Sequence, residues 1–186
     1  MTKEKVDLRQ NVEYVLRDKF GNIKQLWNEF FLTKKWRETM GFELPRLPFV
    51  TGFYADSLKI HNLITNAGAA GVASRINGDG SEAAFTYIAV GTGTTAANVA
   101  DTTLETETAA SGLSRAAGTA SRVTTDVTND TAQLLKSFSV TGSVAVTESG
   151  VLNAAASGVL LARQVFSAIN VVNGDTLQIT WKFDVD

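Results

Sequence analysis

The chain has 186 residues, a net charge of −2 and no cysteine. That length can bury a large apolar core without cross-links, and the lack of cysteine excludes disulfide frameworks and thiolate metal sites. A charge so close to zero does not indicate a nucleic-acid partner, and no stretch approaches the roughly 20 apolar residues of a membrane-spanning helix. The charged N-terminus leads into no apolar signal segment, so we expect a soluble protein made and assembled in the cytoplasm.

The N-terminal stretch is predicted to be helical. Apolar residues recur at helical spacing in Val6–Phe20, and a strongly aromatic stripe follows Gly21. One interpretation is that these aromatic side chains pack on the chain's own sheet, as most aromatic stripes do. The other is that they anchor a docking helix in a partner protein. The candidate partner-binding residues are Trp27, Phe30, Phe31 and Trp36.

The only two prolines, Pro45 and Pro48, mark a predicted domain boundary. Each removes a backbone donor and pushes the preceding residue into extended geometry, which is typical of a linker. We therefore expect a helical attachment segment at residues 1–48 and a body at residues 49–186. The first 50 residues carry a net charge of +3 and residues 51–186 a net charge of −5, which fits segments with different surroundings.

The body begins with a predicted strand within Asp56–Leu63 and a helix of small residues over Asn66–Ile76. Thr65 is a residue type that caps helix N-termini, and Asn77–Gly80 is a typical helix end. The alanines and glycines of this helix allow close approach to another backbone, either the chain's own sheet or a second copy. Their flat, lightly charged surface favours a homo-oligomer.

The middle of the chain contains one clear strand. Ala83–Val90 is predicted to be buried on both faces and to end at Gly91–Thr95. That glycine-rich stretch lacks the Gly-Lys-Ser/Thr ending of a P-loop, so we interpret it as a turn. The following residues to Arg122 show little periodicity apart from one possible helical turn over Thr103–Thr108, and residues 121–131 are interpreted as a turn-rich connection.

The C-terminal stretch Leu134–Asp186 is predicted to form strands at Phe138–Val146, Gly158–Phe166 and Leu177–Val185. In the last of these, apolar residues occupy every second position, which buries one face. We therefore predict an antiparallel β-sandwich, jelly-roll-like or immunoglobulin-like, with this last strand central or next to central. Its expected inward face is Leu177, Ile179, Trp181 and Phe183.

The residue types needed for catalysis are sparse. His61 is the only histidine and thus the only conventional base for a serine nucleophile, and no Gly-x-Ser-x-Gly motif is present. We expect His61 to be a packed or surface side chain, and we expect no enzyme activity.

Acidic side chains offer the only other candidate chemistry. The pairs Glu105/Glu107 and Asp126/Asp130 carry oxygen ligands suited to a hard cation, but such loop pairs are more often solvated turns. Glu148 interrupts a strand edge and is expected to accept hydrogen bonds from turn backbone. The sequence therefore predicts no metal and no cofactor.

Several blocks of sequence together resemble a pattern found in virion proteins of tailed bacteriophages, over about residues 57–186. They are Phe85–Ala97, Asp101–Glu107, Thr147–Asn153, Gly158–Arg163 and Gly174–Trp181. The resemblance implies a non-enzymatic structural protein of the virion, either tail-fibre-like or head-decorating.

The same resemblance implies partners. We expect other virion proteins, either the major capsid protein or neck and tail proteins, and a homo-oligomer for which capsid and fibre symmetry suggests a trimer. The leading expectation is a capsid decoration or cement protein, and the alternative is a neck, collar or tail-fibre-base protein. A carbohydrate-binding β-sandwich is an alternative from another class, although residues 96–122 contain no aromatic side chain.

Overall fold

The structure is a computed structural model, and it describes residues 8–29, 52–80 and 82–185. In these ranges the chain is mainly β with antiparallel pairing and one α-helix, which confirms the predicted fold class at this level. In chain order the strands are β1 (Leu8–Arg17), β2 (Ile23–Lys24), β3 (Leu26–Glu29), β4 (Gly52–Ala55), β5 (Leu58–His61), β6 (Leu63–Ile64), β7 (Tyr87–Gly91), β8 (Ala116–Ala117), β9 (Thr119–Val123), β10 (Thr131–Ser139), β11 (Val144–Leu152), β12 (Leu160–Val171) and β13 (Thr176–Val185). The helix α1 (Asn66–Asn77) lies between β6 and β7 in the chain.

The strands form two large sheets and one small ribbon. Sheet A has the order β2-β1-β13-β10-β9, and β5 pairs with β1 on the same edge as β2. Sheet B has the order β6-β12-β11-β7-β8, and β3 pairs with β4 in a separate two-stranded ribbon. Buried side chains of both large sheets belong to one apolar core. The Tyr14 hydroxyl of sheet A lies 2.6 Å from the Ser149 hydroxyl of sheet B, so a buried hydrogen bond links the sheets.

The prediction for the last strand is confirmed. β13 lies between β1 and β10, in the middle of sheet A. Leu177, Ile179 and Trp181 are fully buried, and Phe183 is partly buried against the same core. The alternation of apolar and polar residues in the sequence therefore predicts correctly which side chains of β13 face the core.

The helix predicted over Val6–Phe20 is wrong, because Leu8–Arg17 forms β1 and pairs along its whole length with β13. Val12, Tyr14 and Leu16 are all buried, and this spacing of two residues is that of a strand. The helical interpretation relies on the spacing of Val12, Val15 and Leu16 and does not count Tyr14 among the apolar residues. Part of the predicted attachment segment thus belongs to the main sheet, while the predicted boundary after residue 48 lies outside the described residues.

The small-residue helix is confirmed. Thr65 caps α1 by accepting a hydrogen bond from the Gly68 amide at 2.9 Å, and Gly78 ends the helix with a φ of 71°. Gly68 lies so close to β12 that a Cβ there would overlap the carbonyl of Leu161. The close approach predicted for this helix is therefore made to the chain's own sheet.

Other predicted elements differ in extent. The strand predicted over Phe138–Val146 is wrong, because that range holds the end of β10, a turn containing Gly142 and the start of β11. The helical turn predicted over Thr103–Thr108 is absent from the structure. The strand predicted over Ala83–Val90 starts later, at Tyr87, and its burial on both faces is confirmed.

Candidate functional site

The segment of residues 92–108, here called the covering loop, lies over the outer face of sheet B. Ala89 alternates along β7 with residues of the main core, so it faces the other way. There it forms a second apolar cluster with Leu152, Leu160 and Leu104, and Leu104, which comes from the loop, is only 4 % exposed. The loop thus buries a sheet face that would otherwise be open to solvent.

Glu148 holds the covering loop through its carboxylate, which is fully buried in β11. Oε1 accepts hydrogen bonds from the amides of Gly93, at 3.1 Å, and Thr106, at 2.7 Å. Oε2 accepts from the Glu105 amide at 3.0 Å and from Arg163 Nε at 2.8 Å. Because four donors surround this carboxylate, one side chain satisfies backbone groups from two separate parts of the loop.

Arg163 of β12 completes the network from the neighbouring strand. Its side chain is 3 % exposed, and besides Glu148 it contacts Asp101 at 2.8 Å and Glu105 at 3.4 Å. Burial lowers the pKa of the guanidinium, but the hydrogen bonds to Asp101 and Glu148 outweigh that effect and raise it. A buried charge is tolerated when it is paired and hydrogen-bonded in this way.

Glycine is required where the loop passes the carboxylate. A Cβ on Gly93 would lie 2.6 Å from both Glu148 Oε1 and the Cβ of Glu105, well inside normal contact. The neighbouring Thr147 hydroxyl donates to the Gly93 carbonyl at 2.7 Å. The glycine-rich stretch after β7 is therefore an irregular loop fitted around Glu148, and these contacts give it the structural role expected for it.

Three carboxylates of the acidic loop pairs, those of Glu105, Glu107 and Asp130, have structural partners. Glu105 accepts from both the hydroxyl and the amide of Thr95, and these hydrogen bonds lower the pKa of its carboxyl group. Glu107 pairs with Arg115. Asp130 accepts from three backbone amides between β9 and β10, led by that of Val127, and these lower its pKa. Within the described ranges, no group of three or more His, Asp or Glu side chains could hold a metal ion.

The predicted partner-binding residues fall into two groups. Trp27 lies in β3, is 5 % exposed and packs edge-on against Tyr54 of β4, with ring centroids 5.0 Å apart. The helical stripe predicted through it is wrong, because β2 and β3 are strands; Phe30, Phe31 and Trp36 lie outside the described residues. The burial of Trp27 supports intrachain packing for this residue, and a docking role for the set stays a prediction.

His61 lies on β5 directly opposite Asn11 of β1, on the outer face of sheet A. It is exposed there, which agrees with the predicted surface position. It lines a surface pocket together with Asn11, Lys59 and Lys182.

The sequence interpretation found Glu148 but missed Arg163 as its partner. The available signal was a charged residue inside an apolar strand: Arg163 follows Leu160, Leu161 and Ala162, all of them buried. A lone Arg in such a run needs a buried carboxylate, and Glu148 is the acidic residue in the neighbouring predicted strand region. The distance in sequence between the two concealed the pairing.

Comparisons with protein-family models, with curated proteins and with solved structures found no match to this chain. The resemblance to tailed-phage virion proteins therefore stays a prediction. Among the described residues, no helix has the length and apolar character needed to cross a membrane.

Proposed function

We propose that this chain is a non-enzymatic structural component of a tailed-phage virion, with capsid decoration or cementing as its role. The observation that supports the proposal is that the sequence blocks carrying the resemblance lie together in the fold. Gly93, Asp101, Glu105, Glu148 and Arg163 come from four different blocks and form one network around the buried Glu148 and Arg163. The pattern that carries the resemblance is thus a set of residues that fixes one loop on one sheet.

The proposed architecture is a β-sandwich of jelly-roll-like or immunoglobulin-like type. Its support is the single core shared by sheets A and B and the buried contacts between them, in which Tyr14 lies 4.3 Å, ring to ring, from Phe166 of β12. A sandwich in which the described loops cover one outer face and not the other suits a protein that is seated on a particle.

The attachment element is proposed to include residues 30–51. Glu29 and Gly52 are paired across the β3–β4 ribbon, so this stretch leaves and re-enters the described fold at one place. Phe30, Phe31 and Trp36 belong to it. A segment that starts and ends on the same ribbon can be exchanged without removing any of the described strands. We expect it to contact the major capsid protein, and we expect the protein to assemble as a trimer.

A carbohydrate-binding role has less support. Sugar-binding faces commonly present aromatic side chains, yet the described residues that point outward from β1, β5 and β13 are polar or aliphatic, and none is Phe, Tyr or Trp. In these three strands the described outward side chains therefore provide no aromatic ring on which a sugar could stack.

The test is to locate the protein in purified phage particles by mass spectrometry and cryo-electron microscopy. The proposal predicts many copies per particle at fixed positions on the capsid surface. Fixed positions at the neck or fibre base would favour the alternative within the same class. Absence of the chain from particles that contain the other structural proteins would contradict both.

A second experiment tests the attachment element. Replacing residues 31–50 by a short Gly/Ser linker should leave the melting temperature nearly unchanged but abolish incorporation into particles. A matched control replaces the exposed turn residues Lys19 and Phe20 by serine, which should leave incorporation intact. Normal incorporation without residues 31–50 would exclude them as the attachment element.

A further inference from the structure

The outer face of sheet A contains a polar pocket that the proposed function does not use. Its volume is about 280 Å³. Three neighbouring strands, β5, β1 and β13, supply its walls. Its polar lining residues are Asn11, Glu13, Lys59, His61, Thr180 and Lys182.

The strand register arranges these side chains in two rows. Asn11 lies between His61 and Lys182 in one row, because it is the Cα partner of both. Glu13 lies between Lys59 and Thr180 in the next row. Side chains directly opposite each other on antiparallel strands have Cβ atoms about 4.5–5.5 Å apart. The hydrogen-bond donors of both rows can therefore reach one small ligand.

The charges in the pocket are not balanced. Glu13 is engaged by Lys59, with 3.4 Å between the carboxylate oxygen and Nζ. Lys182 is half-buried, and within the described part of the chain no carboxylate lies in ion-pair range of its Nζ. Among the described lining residues, two lysines and one glutamate sum to a net charge of +1 with His61 counted as neutral, on a chain whose total charge is −2. A partly desolvated ammonium group without a counter-ion is stabilised by an anion.

We propose that this pocket binds a small oxyanion, either a carboxylate or a phosphate group. Lys182 supplies the unpaired positive charge, and the Asn11 amide and Thr180 hydroxyl supply neutral donors to the remaining oxygen atoms. The site goes beyond the proposed structural role, because it lies on the face of sheet A that the described loops do not cover.

The test is a titration of the full-length protein with inorganic phosphate and, separately, with acetate, followed by amide NMR shifts at constant ionic strength. We expect saturable shifts centred on Asn11, Thr180 and Lys182. Lys182→Met keeps the length of the side chain and removes its charge. It should weaken binding about tenfold, the loss typical of one hydrogen bond to a charged group. Tighter binding of phosphate than of acetate would identify a phosphate ligand, and the reverse order a carboxylate ligand.

Lys19→Met is the matched control, because it makes the same charge change on an exposed turn at the other end of β1. It should leave the affinity unchanged. Equal weakening by both variants would show that only the overall charge matters and would overturn the proposal. So would shifts that do not saturate, or an affinity that survives Lys182→Met in a variant whose spectrum shows the native fold.

Discussion

The outer faces of the two large sheets differ in what covers them. On sheet B, the covering loop buries Ala89, Leu152 and Leu160 beneath Leu104. On sheet A, the outward residues of β13, such as Gln178 and Thr180, are partly exposed. The sequence reflects this difference: β12 is buried continuously from Leu160 to Phe166, whereas β13 alternates between buried and partly exposed positions. A strand covered on both faces loses its period of two, and a strand with one open face keeps it.

The described parts of the two outer faces therefore differ in how much of their surface is left for other contacts. The outer face of sheet B is already occupied by the chain's own loop, which Glu148 and Arg163 hold in place. Among the described residues, none of the chain's own loops covers the outer face of sheet A as residues 92–108 cover that of sheet B. Changes to the shared core should therefore affect both sheets, changes to the Glu148 network should affect sheet B alone, and changes to the outside of sheet A should affect neither.

The largest effect is expected from removing β1. Deletion of residues 1–17 takes away the strand between β13 and β5, with the buried side chains of Val12, Tyr14 and Leu16. Each such side chain contributes roughly 1.5–3 kcal/mol, against a typical total stability of about 5–15 kcal/mol. We expect an insoluble or unfolded product by circular dichroism, while deletion of residues 1–7 alone serves as the control. A soluble protein with native β-sheet signal after the longer deletion would contradict the position of β1.

Trp181→Ala comes next, because Trp181 is fully buried in the central strand of sheet A. Truncating a buried Trp costs about 3–5 kcal/mol. Its indole nitrogen has no hydrogen-bond partner among the described residues, so the loss is one of packing. Chemical denaturation should show this loss, with Lys182→Ala on the outer face changing stability by about 0.5 kcal/mol or less. Equal stability of the Trp181 variant and the wild type would refute the assignment of the core.

Arg163→Met tests the covered side. Breaking a buried ion pair by removing one partner costs about 3–5 kcal/mol, because the other charge is left uncompensated. We expect a loss near the lower end of that range, since Asp101 and Glu105 are partly exposed. The double variant with Glu148→Gln should lose less than the two single variants added together. Strict additivity, measured by denaturant unfolding, would mean that the two residues act independently.

Tyr14→Phe should give a smaller effect on the contact between the sheets. It removes the hydroxyl that lies 2.6 Å from Ser149 and leaves the buried Ser149 without this partner. Such a loss costs about 1–2 kcal/mol. The paired variant Tyr14→Phe with Ser149→Ala should recover part of it, because neither polar group is then left alone. If the single variant is as stable as the wild type, the hydrogen bond does not contribute to stability.

Local sequence patterns predict those elements whose residues alternate or are capped locally. β13 belongs to this group, because its apolar residues from Leu177 to Trp181 alternate with polar ones. α1 belongs to it too, because its N-terminal cap, Thr65, is the residue immediately before the helix. Local patterns do not predict β1 correctly, because three of its apolar residues also fit a helical spacing. Its strand conformation depends on pairing with β13, which is far away in the chain. Propensity is a weak guide when tertiary pairing decides the structure.

The Glu148 network is predictable only in part. A carboxylate beside a glycine-containing strand indicates hydrogen bonds to turn backbone, and this expectation is correct in kind. The turn that it holds is not the adjacent one, however, but a loop more than 40 residues earlier in the chain. No local pattern encodes such a contact, because it arises from the order of β7, β11 and β12 in sheet B.

The most direct test of the account is amide hydrogen exchange in the wild type and in Glu148→Gln. The substituted amide side chain keeps the shape of glutamate but cannot accept four hydrogen bonds as a carboxylate does. We expect the amides of Gly93, Glu105 and Thr106 to exchange much faster in the variant, while the amides of β13 keep their protection. Unchanged protection of the three loop amides would contradict the claim that Glu148 holds the covering loop, and an equal loss of protection in β13 would contradict the claim that its role is confined to sheet B.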